Sequence, residues 1–281
     1  MKLLRYGEIG AEKWGMLDSG ANIRTLDDAL VHVTGDALSP AWLEQLQKLA
    51  PETLPLLKTE RRIGACVPRP LNFIGVGLNY ADHAAETGGK IPKEPILFLK
   101  SLSSFSGPYD DIIIPDGSVS TDWEVELGVV IGTKAKNVSE DSALDYVAGY
   151  CVVNDVSERE YQTKRGGQWD KGKGCDSFGP VGPYLVTKDE VPDPQNLTLW
   201  TEIDGIRRQD GTTSNMIFGV KTLVSYISQF ITLYPGDVIA TGTPAGVGMG
   251  IKPEPIFLHP GQEVRISVQG LGEQRAKTIG G

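Results

Sequence analysis

The stretch that most constrains how this chain can fold is STDWEVELGVVIG, Ser120 to Gly132. Side chains on a strand alternate between faces. Trp123, Val125, Leu127, Val129 and Ile131 therefore form one wholly apolar face, which another layer of the protein must cover. Glu124 and Glu126 point together to the opposite face, beside Gly128 and Val130, which make a poor solvent-facing stripe. Two carboxylates at i and i+2 sit about 7 Å apart at the backbone and can converge on one point. Either that face is wet, or something positive sits there.

A chain of 281 residues can bury a large core and fits one big domain, or one with a small partner. Hydrophobic content of 40% and charged content of 22% are those of an ordinary globular protein. The formal charge of −9 argues against nucleic acid or an anionic membrane as partner, since both select basic patches. The opening MKLLRYGEIG meets a glutamate before an apolar core can build, so no secretory signal is expected, and no stretch approaches a membrane span. Cys66, Cys151 and Cys175 are odd in number and form no C-x-x-C pair, which predicts reduced structural thiols in a cytoplasmic protein.

KLLRYG and KWGMLD read as strands split by the polar turn EIGAE, and a helix is predicted from Ser39-Pro40 through AWLEQLQKLA. The stretch PETLPLLKTERRIGACVPRP mixes proline, glycine and charge, and reads as a connection. The expectation is a small N-terminal α/β domain over 1–65 and a catalytic domain over 66–281. Beyond residue 71 the pattern is short strands joined by Gly/Pro turns, with Asp204-Gly205 as a hairpin signal. One clear amphipathic helix carries Val220, Leu223, Val224, Ile227 and Ile231 on one stripe. The fold class expected is α+β and β-rich, rather than doubly wound.

Several chemistries are pruned by absence: there is no G-x-S-x-G elbow, no P-loop, and His32, His83 and His259 stand at no zinc-ligand spacing. A third acid, Asp155, ends the strand YCVVND, and SERE behind it is a capping-box sequence predicting a helix start at Ser157. Acids at strand ends suit Mg²⁺, Mn²⁺ or Ca²⁺; the competing account is a solvated strand face and an ordinary loop aspartate. In NYADHAAETGGK, His83 and Glu86 are neighbours on a helical turn. A carboxylate there would orient the histidine as a water-activating base, and Gly88-Gly89 would let the turn swing as a lid. An exposed His–Glu pair is the plainer account. In QWDKGKGCDSFGPVGP the glycines around Lys171 and Lys173 let an amine approach a ligand, and PGDVIATGTPAGVG sets a threonine between a strand and glycines.

Together, GVGLNYADHAAE, DWEVELGVVIG, VVNDVSEREYQ, GKGCDSFGPVGP and PGDVIATGTPAGVG, in that order, give a chain that resembles the fumarylacetoacetate hydrolase family from about Pro70 onward. The resemblance implies a catalytic domain built as a mixed β-roll or β-sandwich, usually a homodimer. It implies Glu124, Glu126 and Asp155 as ligands of a divalent cation, usually Mg²⁺, and His83 with Glu86 as the water-activating dyad. Arg159 and Gln162 match positions that grip the substrate's carboxylate and keto groups. Lys173 matches a lysine beside the metal, Thr243 a substrate-contacting threonine, and Tyr80, in the first motif, falls with the substrate-binding group.

The activity so implied is metal-dependent hydrolysis of a C–C bond in a 2,4-diketo acid, giving pyruvate or a related 2-oxo acid and a carboxylate. The opening MKLLRYG and the segment RGGQWDKGKGCDSFGPVGP look closest to bacterial members assigned to 2,4-diketo-3-deoxy-sugar-acid breakdown, some of them labelled ureidoglycolate lyases. A decarboxylase, an isomerase of an oxo-diacid or a lyase would use the same metal site, and a non-catalytic receptor would be expected to lose a dyad or ligand residue. None is lost.

Overall fold

The computed structural model describes residues 1–281. The strand Val125–Ile131 forms as its alternation predicts and lies inside a nine-stranded mixed sheet. It is hydrogen-bonded antiparallel to Val147–Asn154 on one side and to Val238–Ala240 on the other. Phe73–Gly77 and Ile96–Leu99 complete the second flank. On the first flank Leu185–Thr187 pairs with Lys2–Tyr6, followed by Lys13–Leu17 and Ile23–Thr25. The first strands of the chain thus extend the same sheet.

A five-stranded sheet holds, in spatial order, Ile206–Thr212, Thr198–Ile203, Glu263–Val268, Gly272–Gly280 and Ile112–Ile114. Its Leu199, Val264, Ile266 and Val268 pack with Trp123, Val125, Leu127, Val129 and Ile131, the apolar face read from the alternation. The helix Val220–Phe230 buries Val220, Leu223, Val224 and Ile227 in the same core. The result is a β-rich α+β fold of packed sheets with few helices and no closed barrel.

The opposite face of the central strand is not wet. Val130, with Cys151 and Val153 from the neighbouring strand, packs against Leu3, Met16, Trp42 and Leu46 from the N-terminal region. Glu124 and Glu126 lie at the far end of this face, only 5% and 1% exposed. The register pairs Gly128 with Cys151, and a Cβ on Gly128 would stand 2.6 Å from both Cys151 Sγ and Val153 Cγ2. Glycine there makes room for its cross-strand partner.

Local signals hold at several points. Ser39 caps the helix Pro40–Gln47 by accepting from the Trp42 amide at 3.3 Å. Asp204 and Gly205 take left-handed φ values of 50° and 75° between the paired strands, as a two-residue hairpin turn requires. The capping box at Ser157 does not form. Ser157 and Glu158 pair instead with Thr121 and Asp122, and the Ser157 hydroxyl donates to the Asp155 carbonyl at 2.9 Å. The helix begins at Arg159, capped by the Glu158 side chain. Strand pairing outcompeted the local cap because it also satisfies the backbone of the buried segment around Asp122. No helix is long and apolar enough to cross a membrane.

Gly128→Ala should overpack the central strand pair and cost about 1–3 kcal/mol. A lowered urea midpoint with unchanged slope is the expected result; an unaltered midpoint would show that the contact relaxes freely.

Candidate active site

Parity along two paired strands builds the site. Val125 pairs with Asn154 and Glu126 with Val153, so Asp155 follows on beside Glu124, whose carbonyl accepts from the Asp155 amide at 2.9 Å. Each of Glu124, Glu126 and Asp155 offers an oxygen within 4.8 Å of the others, and all three are buried. Three carboxylates so close repel strongly in a low-dielectric interior unless cations intervene.

Cations do intervene, but unevenly. Lys173 Nζ donates to Glu124 Oε2 at 2.7 Å and to Asp155 Oδ2 at 2.6 Å. Lys100, also buried, donates from Nζ to Asp155 Oδ1 and to the Lys173 carbonyl, both at 2.5 Å. Arg159 Nη2 lies 2.7 Å from Glu124 Oε1, and its Nε donates to Asp122 Oδ2 at 2.8 Å. Burial raises the Glu124 pKa, but Lys173, Arg159 and His83 overcome it and hold the carboxyl far below its ordinary range. Glu126 has no cation; its Oε2 accepts only from the Gly242 amide at 2.8 Å. Burial, then Asp155 and Glu124, push its carboxyl well above the ordinary value.

That imbalance is what a dication would correct. Four buried carboxylates, Asp122, Glu124, Glu126 and Asp155, face the three cations Lys100, Arg159 and Lys173, and the carboxylate left over belongs to the oxygen cluster itself. An oxygen-only donor set of this kind suits a hard divalent cation. The residues fit such an ion.

A cavity of about 120 Å³ opens onto the triad, and His83, Arg159, Gln162, Lys173 and Thr243 line it as well. A groove of about 710 Å³ running from Arg5 to Ile279 is far larger but contains none of these residues. His83 and Glu86 occupy the short helix Ala81–Glu86, with His83 Nδ1 3.4 Å from Glu86 Oε2. Glu86 Oε1 accepts from the Gly246 amide at 2.9 Å, and Gly250 packs so closely that a Cβ would meet the Glu86 carboxyl carbon at 2.3 Å. The glycine-rich loop therefore holds the acid that faces the histidine. Arg159 and Gln162 share one face of the helix Arg159–Lys164, joined by a 3.1 Å bond from Nη1 to Oε1. Thr243 donates to the Val125 carbonyl at 2.8 Å and accepts from Gln209 at 2.7 Å. Tyr80 stands apart: it is fully buried in the main core, its hydroxyl has no protein partner, and it does not line the cavity.

The local sequence explains how Lys173 arrives. It sits in the four-residue helix Asp170–Lys173, and Gly172 lets that helix press on the preceding helix Arg159–Lys164, where a Cβ would be 2.3 Å from the carbonyl oxygen of its cap, Glu158. Two residues of the network went unrecognised in the sequence. Asp122 shares the parity of Glu124 and Glu126, which was a readable signal. It is fully buried, and beyond Arg159 it accepts from the amides of Trp123, Gly248 and Met249. Lys100 ends an apolar strand, and only the tertiary contact reveals it.

Residues 72–279 match the family model described as fumarylacetoacetate (FAA) hydrolase C-terminal, and the chain belongs to that family. A Burkholderia ambifaria protein named "Putative hydrolase" is 64% identical over 278 residues, covering 99% of each chain. Fumarylacetoacetate hydrolase from Exiguobacterium antarcticum superposes with a TM-score of 0.85 at 35% identity, covering 100% of both chains. A 5-carboxymethyl-2-hydroxymuconate delta-isomerase from Mycobacterium smegmatis gives a TM-score of 0.77 at 31% identity, covering 100% of this chain and 99% of that one.

Magnesium at a hundredfold excess over its Kd should stabilise the protein by about 2.7 kcal/mol, read as a melting temperature that a chelator lowers again. Glu126→Gln should raise the melting temperature of the chelated protein and remove most of the metal's effect. A melting curve indifferent to both metal and chelator would remove the cation from this site.

Proposed function

We propose that this protein is a divalent-metal-dependent hydrolase that cleaves a C–C bond in a 2,4-diketo acid, releasing pyruvate or a related 2-oxo acid and a carboxylate. The observation that carries this reading is that the carboxylate triad and His83, which faces Glu86, line one small cavity. Magnesium is the cation favoured, with manganese or calcium as substitutes. Such an ion, when bound, acts as a Lewis acid toward the oxygens of a 2-oxo acid.

The chain's own residues account for the rest. The Arg159 guanidinium, 2.7 Å from Glu124 Oε1 through Nη2, also lines the cavity, so it can meet a substrate carboxylate beside the triad. The Gln162 amide nitrogen is free beside it, because its oxygen is the atom bonded to Arg159. Glu86, oriented by the Gly246 amide, holds His83 so that the ring can take a proton from water. The hydroxide oxygen bonds to the distal carbonyl carbon, and the C–C bond beyond it breaks. Its electron pair passes to the oxo-acid half, which takes up a proton. The Lys173 ammonium stands where negative charge grows in that half, and being preorganised it costs little to engage. Burial lowers its pKa, but Asp155 and Glu124 raise it further, so the amine stays charged.

An isomerase or decarboxylase acting at the same site is the second reading, favoured by isomerases among the structural neighbours. A decarboxylase has no use for an activated water, whereas the His–Glu pair is intact. Action as a homodimer in the cytoplasm belongs to the same proposal.

The experiment is pyruvate release from an acylpyruvate, a 2,4-diketo-3-deoxy sugar acid and oxaloacetate, using stripped protein with and without Mg²⁺. Diketo-acid cleavage should require the metal, fall by about 10²–10⁴-fold in Glu86→Gln and vanish in folded Glu124→Gln. Turnover of oxaloacetate alone, unimpaired in Glu86→Gln, would put the decarboxylase in its place.

A further inference from the structure

Resting on the oxo-acid reading of this site, we infer that it accepts an oxo acid with a single carboxylate and a short, uncharged acyl end, and turns away oxo diacids. The first ground is the placement of charge. The lysine and arginine that line the cavity, Lys173 and Arg159, both stand at the carboxylate triad. Lys100 lies behind them on Asp155, and His83 is turned toward Glu86. Lys100, Arg159 and Lys173 all stand at the triad end, where a dication would also be held, so a ligand carboxylate is met there. A second carboxylate at the far end would face a wall that offers no lysine or arginine, a costly placement for an ion.

The second ground is the rest of the wall. Val76, Leu78, Phe98, Trp169 and Met249 make an apolar boundary. Trp169 lies directly over Gly77, where a Cβ would be 2.2 Å from the indole, and its ring centroid is 5.7 Å from that of Phe98. The threonine hydroxyls that line it are already used as donors: Thr87 donates to the His83 carbonyl at 2.9 Å and Thr163 to the Arg159 carbonyl at 2.7 Å. An extended polyol would find few free hydroxyl donors there.

The third ground is size. The cavity of about 120 Å³ falls well below the roughly 300 Å³ at which pockets for drug-sized ligands begin. A few carbon atoms beyond the oxo acid fill it.

The test is calorimetric binding to the Mg²⁺-loaded protein of 2-oxohexanoate and 2-oxoadipate, which have equal carbon counts and differ in a methyl against a carboxylate at the far end. The diacid should bind about tenfold or more weakly, the cost of setting an unpaired charge against an apolar wall. Met249→Lys should recover most of that deficit. Trp169→Ala should improve 2-oxooctanoate relative to 2-oxobutanoate without helping the diacid. Equal binding of the two six-carbon acids by the wild type overturns the inference, as does tighter wild-type binding of 2-oxooctanoate than of 2-oxobutanoate. Because nothing here depends on turnover, a failure to release pyruvate from diketo acids overturns the reaction alone. Failure of both six-carbon acids to bind overturns the oxo-acid reading and this inference with it.

Discussion

The antiparallel pairing of Val125–Ile131 with Val147–Asn154 is the constraint on which the rest of this molecule depends. Its register sets Asp155 beside Glu124 and seats Gly128 under Cys151. A one-residue slip would turn the two glutamates into the hydrophobic core and Trp123, Val125 and Leu127 into the site. Two packed cores guard against that slip, one on each face of the same strand. The stability of the fold and the placement of the charges are therefore one property.

Concentrating four carboxylates and three cations in the interior is costly, because desolvation can exceed the attraction between the pairs. The geometry limits that cost by sharing partners. Lys173 spans Glu124 and Asp155, Arg159 spans Asp122 and Glu124, and Lys100 ties Asp155 to the backbone that carries Lys173. Asp122 extends the network into the glycine-rich loop through Gly248 and Met249, and the Gly246 amide of that loop holds Glu86. The residue that faces the histidine and the residues that face the triad are thus tied to one backbone loop, each by its own hydrogen bonds. Glu126, the member without a cation, marks where the network is incomplete as protein alone.

Much of this was legible in the residues. Alternation along STDWEVELGVVIG separated a core face from a carboxylate face, and the amphipathic helix and the Asp204-Gly205 turn formed where local chemistry asked for them. Five ordered motifs carried the family, whose model spans residues 72–279. The capping box at Ser157 misled because a capping pattern reports only local competition, whereas the segment pairs with Thr121 and Asp122. Tyr80 sits within the first motif yet lies in the core, since neighbours along an extended segment point in different directions.

What the sequence by itself determined was the set of periodic and local features: which faces are apolar, where turns fall, and which acids, bases and amines were available. Those follow from backbone geometry within a few residues. What only the tertiary structure decided was convergence across long separations. It brought Lys100 to Asp155, Asp122 to the Gly248 loop and Glu86 to Gly246, and it buried the glutamate face beneath strands distant in sequence. The reason is physical: a buried charge is tolerated only where partners from elsewhere in the chain arrive to meet it, and their arrival is fixed by packing rather than by spacing.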